Sequence, residues 1–471
     1  MKSAGRRWQS KRASTAVKAI KRKKRKPPLR GRKARSKKKR LIARGRKRKL
    51  LLVRGKKRFR KGRLKAWRKR RRRRSARASA EALPVLIETP AEVAEVPEVP
   101  EVPGYAKGIN LVGFIRAEMG IGESSRLAAR AISRTDIAFG AMNFPVTSIR
   151  MEDMTWAHKE MSDPQYNTNI FHMNADTMRS VHHHFGNGLF DGRYNIGYWH
   201  WELPDFPDEF CDGFHFVNEV WAPTSFVVEA ISKKASVPVV RIPHGVEVNP
   251  PSDLNRGSFG LPDDKFLFFS MYDTHSYQRR KNPQGAIESF KMAFDRKDTS
   301  VGLVVKLNHS HANPSDLDEI NQLVSGYDNI YIIDRIMARH EVDALLNCTD
   351  CFVSLHRSEG FGLGLAEAMY LGKPVIGTYW SGNTDFMNST NSCTVDFNIV
   401  GVGGDWGPYK AYQTWAEPDL GHAAHYMREL RYNADYRNSI AYNGMQHIRT
   451  YFSPQAVGGM IKERLKQLGL Q

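Results

Sequence analysis

"HRSEGFGLGLAEAMYLGKPVIG" (residues 356–377) sets two glutamates eight residues apart, Glu359 and Glu367, around a glycine-aromatic-glycine knot. The preceding "CFVSLH" (351–356) reads as a strand, "RSEGFG" as the loop at its carboxyl end, and "LGLAEAMYL" as a helix. Gly372 and Pro374 stop that helix before the next strand, "PVIGTY" (374–379). Glu359 therefore belongs to a loop and Glu367 lies a turn or more into a helix, so two acceptors can reach different parts of one elongated ligand. The glycines let backbone N–H groups at the helix start approach an anion closely.

Working outward, short apolar runs alternate with helical patterns. The strand candidates are "INLVGFI" (109–115), "YNIGYW" (194–199), "EVWAP" (219–223), "VPVVRIP" (237–243), "FLFFSMY" (266–272), "VGLVVKL" (301–307) and "NIYIID" (329–334), besides the two flanking the opening stretch. Helical patterns at 282–296 and 340–348 lie between some of them, the order of parallel α/β sheets. A segment rich in Pro, Gly, Asp and Asn, 244–265, interrupts the alternation as an interdomain hinge would. The reading is α/β, with two Rossmann-like doubly wound domains facing a cleft, at 105–250 and 251–450. A C-terminal helix at 451–471 is expected to cross back to the first. Ligands in such folds sit at the carboxyl ends of the strands. Carboxylates for hydroxyls and amides for phosphate make a layout that fits a nucleotide diphosphate sugar.

The formal net charge of +26 averages two unlike regions. Residues 1–80 hold 41 of the 74 Lys and Arg and no Asp or Glu, which leaves 33 basic against 48 acidic side chains afterwards. Runs such as "KRKKRK" (21–26) and "RKRRRRR" (68–74) repel themselves, so 1–80 reads as a disordered basic tail. The linker that follows, 81–104, repeats Glu-Val-Pro with Pro97, Pro100 and Pro103 three apart, and so favours semi-rigid polyproline II. Three readings of the tail stay open: nucleic acid bound by counterion release, an anionic membrane surface or other polyanion, or sequence upstream of a true start. Only Trp8, Phe59 and Trp67 are aromatic in it, which makes nucleic acid the weaker partner.

Four cysteines in so long a chain make no disulfide framework and point to a reducing compartment. Cys348 and Cys351 form a lone CxxC with no second pair to complete a zinc site, so they read as buried thiols. No apolar run reaches the roughly 20 residues that span a bilayer. A cytoplasmic or membrane-peripheral location is expected. "DLD" (316–318) lies in polar helical sequence, and "VHHHFG" (181–186) points its histidines in different directions, so no metal is expected at either.

The opening stretch resembles the E-x7-E signature of retaining GT-B glycosyltransferases of glycosyltransferase family 4. "GINLVGFIRAEMGIGESSRLAARAI" (108–132) resembles that family's N-terminal glycine-rich loop and helix, and "RRKNPQGAIESFKMAF" (279–294) the start of its second domain. The resemblance implies a metal-independent hexosyltransferase that needs no cofactor and takes a nucleotide sugar as substrate. The acceptor would be a glycan or lipid-linked glycan. It implies that Glu359 contacts donor-sugar hydroxyls, that Glu367 binds ribose, and that the backbone of Phe361, Gly362 and Leu363 lies against sugar and diphosphate. Lys281 and Arg280 would neutralise the diphosphate. The family's usual arginine falls five residues before the lysine, where this chain has Ser276. Arg335 in "IDRI" would border the nucleobase, and Asn383 in "SGNTD" would close the sugar pocket.

Two features of the first domain stay open. Gly120 and Gly122 in "AEMGIGESS" form either a phosphate or acceptor loop or a plain turn before a helix capped by Ser124 or Ser125. In "YWHWELPDFP" (198–207) three aromatics surround His200 and Glu202, which suits a sugar acceptor with a catalytic His200 and equally a packed aromatic corner. The competing function is a polyanion- or membrane-binding scaffold on an inactive transferase fold.

Overall fold

The computed structural model describes residues 104–471, which belong to one compact unit, Val96–Gln471. The basic tail and almost all of the Pro-rich linker lie outside the described residues. The first lobe is a six-stranded parallel sheet of β1 (Ala106–Gly113), β2 (Phe139–Asn143), β3 (Tyr166–His172), β4 (Tyr194–Tyr198), β5 (Glu219–Ala222) and β6 (Val239–Arg241), in the order β2-β1-β3-β4-β5-β6. The second is a parallel sheet of β7 (Phe266–Asp273), β8 (Val301–Asn308), β9 (Ile330–Asp334), β10 (Cys351–Ser354), β11 (Val375–Thr378) and β12 (Cys393–Val395), in the order β12-β11-β10-β7-β8-β9. A hairpin, β13 (Phe397–Gly401) with β14 (Thr414–Pro418), stands apart from both sheets.

The order reverses at β1/β3 in the first sheet and at β7/β10 in the second. Such reversals splay the following connections to opposite faces and open a crevice at the carboxyl ends of the two strands. β1 and β7 are near-continuous apolar runs because both faces of a parallel sheet are covered.

β3 departs from that rule: its buried Thr168 and Asn169 are polar, and the sequence reading assigned no strand there. Asn169 is the middle member of a buried ladder across three strands. Asn110 Nδ2 donates to its Oδ1 at 2.8 Å, and its own Nδ2 donates to Asn195 Oδ1 at 2.8 Å. A one-residue slip would strand these amides in the core, so the ladder pins the register of β1, β3 and β4.

The helix Pro454–Gln467 lays Val457, Ile461 and Leu465 into the core of the first lobe. Its Arg464 pairs at 2.5 Å with Glu219, which is fully buried and also accepts from Trp221 Nε1 at 2.6 Å. All four cysteines are free, and Cys351 and Cys393 are buried. Among the described residues no helix is long and apolar enough to cross a membrane.

Removing one partner of a buried ion pair leaves an uncompensated charge, which destabilises by about 3–5 kcal/mol. Arg464→Met should lower stability by about that amount, while Lys462→Ala, whose Asp136 pair lies in solvent, should leave the urea midpoint unmoved. Equal midpoints for the two variants would refute a structural role for the Glu219 pair.

Candidate functional site

The reversal in the second sheet brings the loops after β7 and β10 together. After β7 the chain makes a short helical turn, Gln278–Lys281, held between left-handed residues at Tyr277 (φ 61°) and Asn282 (φ 51°). Asn282 Nδ2 donates to Leu355 O at 2.8 Å, which ties this turn to the end of β10. Glu359 in the second loop is consequently gripped by both cations: Lys281 Nζ stands 2.5 Å from Oε1, and Arg280 Nη1 3.3 Å from Oε2. Burial alone would raise the Glu359 carboxyl, but Lys281 and Arg280 outweigh it and hold it down to about 2. Arg280 is itself buried, donates to Ser358 O at 2.9 Å, and has Glu202 of the first lobe at 3.8 Å. Its Nε has no partner among the described residues.

Gly362 starts the helix Leu363–Tyr370 at φ 92°, a left-handed conformation that strains any side chain. Phe361 turns away into the core against Phe386 and Phe452, which leaves its backbone and those of Gly362 and Leu363 as the parts of this knot that can meet a ligand. Glu367 lies one turn further on, with 2% of its surface exposed. Arg339 Nη2 stands 2.6 Å from its Oε1 and 2.6 Å from Asp343 Oδ1. Burial, with Asp343 and Glu123 adding to it against Arg339, pushes the Glu367 carboxyl up to about 7. Near neutrality Glu359 is thus ionised whereas Glu367 is midway through its titration, and Arg339 and Asp343 carry no motif that would have revealed them in sequence.

Asn383 is fully buried, with its amide committed to Thr378 O at 2.9 Å and His356 Nε2 at 3.0 Å. Arg335 is exposed after β9 and pairs with Glu341 at 3.4 Å. Between these positions, at the carboxyl end of β8, sits Lys306, hidden in the sequence inside an apolar strand. Burial brings its ammonium down to about 8, and it donates to Asn308 Oδ1 at 2.8 Å.

In the first lobe the helix Gly120–Ile132 starts at Gly120 itself, with Met119 as its cap position and no side-chain cap. That corrects the expected capping: Ser125 bonds back to Ile121 O, and Ser124 turns toward the histidines. A side chain on Gly122 would fall 2.2 Å from Ala117 O, so this glycine permits the close packing of helix on loop, whereas Gly120 is open to its surroundings.

Alternation along the chain resolves the aromatic segment. Trp199 and Trp201 point into the core with Phe206, while Glu202 reaches toward Arg280 of the second lobe and His200 turns toward Ser124 and His244. His200 Nε2 lies 3.1 Å from His244 Nε2 and 3.4 Å from Ser124 Oγ, and Ser124 Oγ lies 3.1 Å from His172 Nδ1. Burial lowers His200 to about 4, so it is a neutral imidazole at pH 7, and its Nδ1 has no partner among the described residues. His172 and His244 are driven down by burial as well.

The lobes touch around this site. Thr224 Oγ1 donates to Gly360 O at 2.8 Å, Ser358 Oγ donates to Glu202 O, and Tyr409 of the hairpin loop donates to Glu202 Oε2 at 3.1 Å. Asp316 and Asp318 lie on the helix Pro314–Val324, and His182 to His184 on the helix Met178–Phe185.

Two parallel doubly wound sheets meeting at their carboxyl edges define the GT-B fold of glycosyltransferases. Residues 252–394, which hold the strands of the second lobe, match the family described as glycosyl transferases group 1. The structure is similar to Anabaena Alr3699/HepE in complex with UDP and glucose, at TM-score 0.57 and 13% identity over 77% of this chain and 100% of that one. It is also similar to the sucrose-phosphate synthase of Thermosynechococcus elongatus (TM-score 0.56, 12% identity, 77% and 99% covered). A glycosyltransferase from Rickettsia africae ESF-5 gives TM-score 0.57 at 12% identity, with 77% and 99% covered. No curated protein matches the chain.

The opposed carboxyls make a pH prediction. Glu367 keeps its proton up to about 7 in the folded chain against an ordinary 4.5, so its contribution to stability grows as pH falls from 7 to 4.5. Glu359 behaves inversely, stabilising above 4.5 and losing that contribution as pH falls toward 2. Glu367→Gln should therefore flatten the rise in urea midpoint of the parent between pH 7.5 and 5; an unchanged slope would show that Glu367 is not the group responsible.

Proposed function

We propose that the chain is a retaining glycosyltransferase that moves a hexose from a nucleotide diphosphate sugar to a glycan or lipid-linked glycan. The observation that carries this reading is Glu359, held ionised by Lys281 and Arg280 at the second sheet's reversal and directly beside the Gly362 helix start. A carboxylate there accepts from donor hydroxyls. Leu365 and Ala366 N–H donate back to Gly362 O, and the two amides before them, of Leu363 and Gly364, are the ones suited to a phosphate.

Cleavage of the anomeric C–O bond places extra negative charge on the leaving diphosphate. Lys281 is the more exposed of the two cations, so it can swing from Glu359 to that diphosphate, while Arg280 stays behind as the buried anchor. Preorganised cations lower such a barrier without a metal. Retention follows if the acceptor attacks from the leaving-group face and the departing phosphate takes its proton, which requires no protein nucleophile.

Glu367 would take the ribose hydroxyls once Arg339 yields. Arg335 and Lys306 would border the nucleobase side, since the strand order β10-β7-β8-β9 continues from Glu359 toward them. The committed amide of Asn383 makes it a positioning residue behind the sugar pocket instead of a direct contact. The unpartnered Nδ1 of neutral His200 supports a hydrogen bond to an acceptor or donor hydroxyl, with Gly120 leaving room at the adjoining helix start.

The test is binding and hydrolysis of UDP-, GDP- and ADP-sugars by the full chain with Lys281→Ala and Glu359→Gln, the latter chosen because it does not strip Arg280 of its polar partner. One donor should be hydrolysed by the parent, and Lys281→Ala should lower the rate by about 10²–10³ with donor affinity less affected. Glu359→Gln should weaken sugar discrimination while leaving the free nucleotide bound. If no donor binds and both variants match the parent, the reading fails.

A second outcome concerns pH. Donor affinity should fall below about pH 7, the value at which Glu367 takes up its proton, because a protonated carboxyl loses acceptor capacity. A binding profile flat between pH 8 and 5.5 would remove Glu367 from the ribose site.

A further inference from the structure

We propose that Asp273, His275 and His309 form a binding site for one divalent transition-metal ion, of which zinc is the best match. The site lies at the carboxyl end of β7 and β8. This inference does not depend on the transferase reading.

The geometry carries it. One ligand atom from each residue lies within 4.8 Å of the others. His309 Nδ1 stands 2.9 Å from Asp273 Oδ2, and His275 Nδ1 3.2 Å from Asp273 Oδ1. Around a tetrahedral zinc with bonds of about 2.0–2.1 Å, neighbouring ligand atoms stand about 3.3–3.5 Å apart. Each histidine meets a different oxygen of the Asp273 carboxylate, so the three side chains are gathered around one point and an ion would replace the two hydrogen bonds after a modest rearrangement.

The fold builds this cluster deliberately. β7 and β8 pair in register from Phe266 opposite Val301 to Asp273 opposite Asn308, so His309 emerges immediately beside Asp273. His309 then turns left-handed (φ 55°), a conformation uncommon for a residue with a side chain and frequent at functional sites. Thr274 Oγ1 donates to His309 O at 2.7 Å and holds the turn. The carboxylate is oriented from behind by the backbone N–H of His275 at 2.9 Å and by Asn308 Nδ2 at 3.4 Å, and Lys306 Nζ in turn holds Asn308. Such outer partners are what ligating carboxylates require. His309 is buried and His275 is half exposed, so the site is walled on one side and open on the other.

The donor set selects the ion. Two imidazoles and one carboxylate favour zinc, copper or nickel over magnesium or calcium, which prefer all-oxygen shells. Three protein ligands leave a fourth position to water or a ligand atom. An ion here would fasten the segment that starts at Thr274 and carries Arg280 and Lys281, and would stiffen the turn on which the cationic pair stands.

Full-length chain stripped with a chelator should bind one equivalent of zinc in competition with a chromophoric chelator, and its thermal midpoint should rise with added zinc. His275→Ala and His309→Ala should weaken zinc binding by at least about 100-fold, beyond the 10–100-fold lost with outer-shell partners. Asp273→Asn keeps a side-chain oxygen for capping His275 N but lacks the charge, and it should also weaken zinc binding while the zinc-free thermal midpoint stays near that of the parent. His183→Ala, on the helix Met178–Phe185, should bind zinc like the parent. If His275→Ala and Asp273→Asn bind like the parent, or if the loss follows His183→Ala, the cluster is only a hydrogen-bonded histidine and aspartate group and the proposal is overturned.

Discussion

The ion triad of Lys281, Glu359 and Arg280 is the constraint on which the site depends. Three charged side chains cannot be taken out of water singly, because each alone would be unstable in a poorly polarisable interior. Together they are close to neutral once Glu202 is counted, and they can lie in the seam between the lobes. The triad also fixes the spatial relation of two loops far apart in sequence. The turn after β7 must present two consecutive cations, and the loop after β10 must present one acid at its midpoint. The backbone complies at Tyr277, Asn282 and Gly362, each left-handed, so strain is concentrated beside the charges.

A second, opposite arrangement sits one helical turn away. Burial is the main reason that the Glu367 carboxyl is held up to about 7, and Asp343 and Glu123 add to it against Arg339. The first lobe contributes Glu123 to this balance and Glu202 to the triad, so the charge state of the second lobe depends on the first. Withdrawing Glu123 would favour ionised Glu367, and withdrawing Glu202 would leave Arg280 more dependent on Glu359.

Sequence pattern made the second lobe more legible than the first, for a physical reason. Strands β7, β8 and β10 are largely apolar runs, and the motif after β10 joins glycine, aromatic and acid at fixed spacing. In the first lobe β3 carries buried asparagine and threonine, and β2 is a short run with glycine and alanine, so periodicity is silent where hydrogen bonds replace apolar packing. The aromatic segment was ambiguous between core and site because it is both: two tryptophans face inward and Glu202 beside them reaches the seam. Arg339, His172 and His244 were invisible because their significance lies in what the fold places opposite them.

His200 shows how the lobes divide their work. The histidine cluster of its lobe offers uncharged groups, three imidazoles that burial keeps neutral and one serine hydroxyl, whereas the loops after β7 and β10 offer ion pairs. A neutral hydrogen-bonding wall opposite a charged one is suited to a ligand with a polyhydroxyl end and an anionic end, each end meeting the surface that can desolvate it. Reversing the ligand would bury the anion against imidazoles that cannot become cations at pH 7, and would spend the cationic pair on hydroxyls that gain little from it. On the proposed reading, the asymmetry of the two walls would set the direction in which such a ligand lies, before any single contact selects its identity.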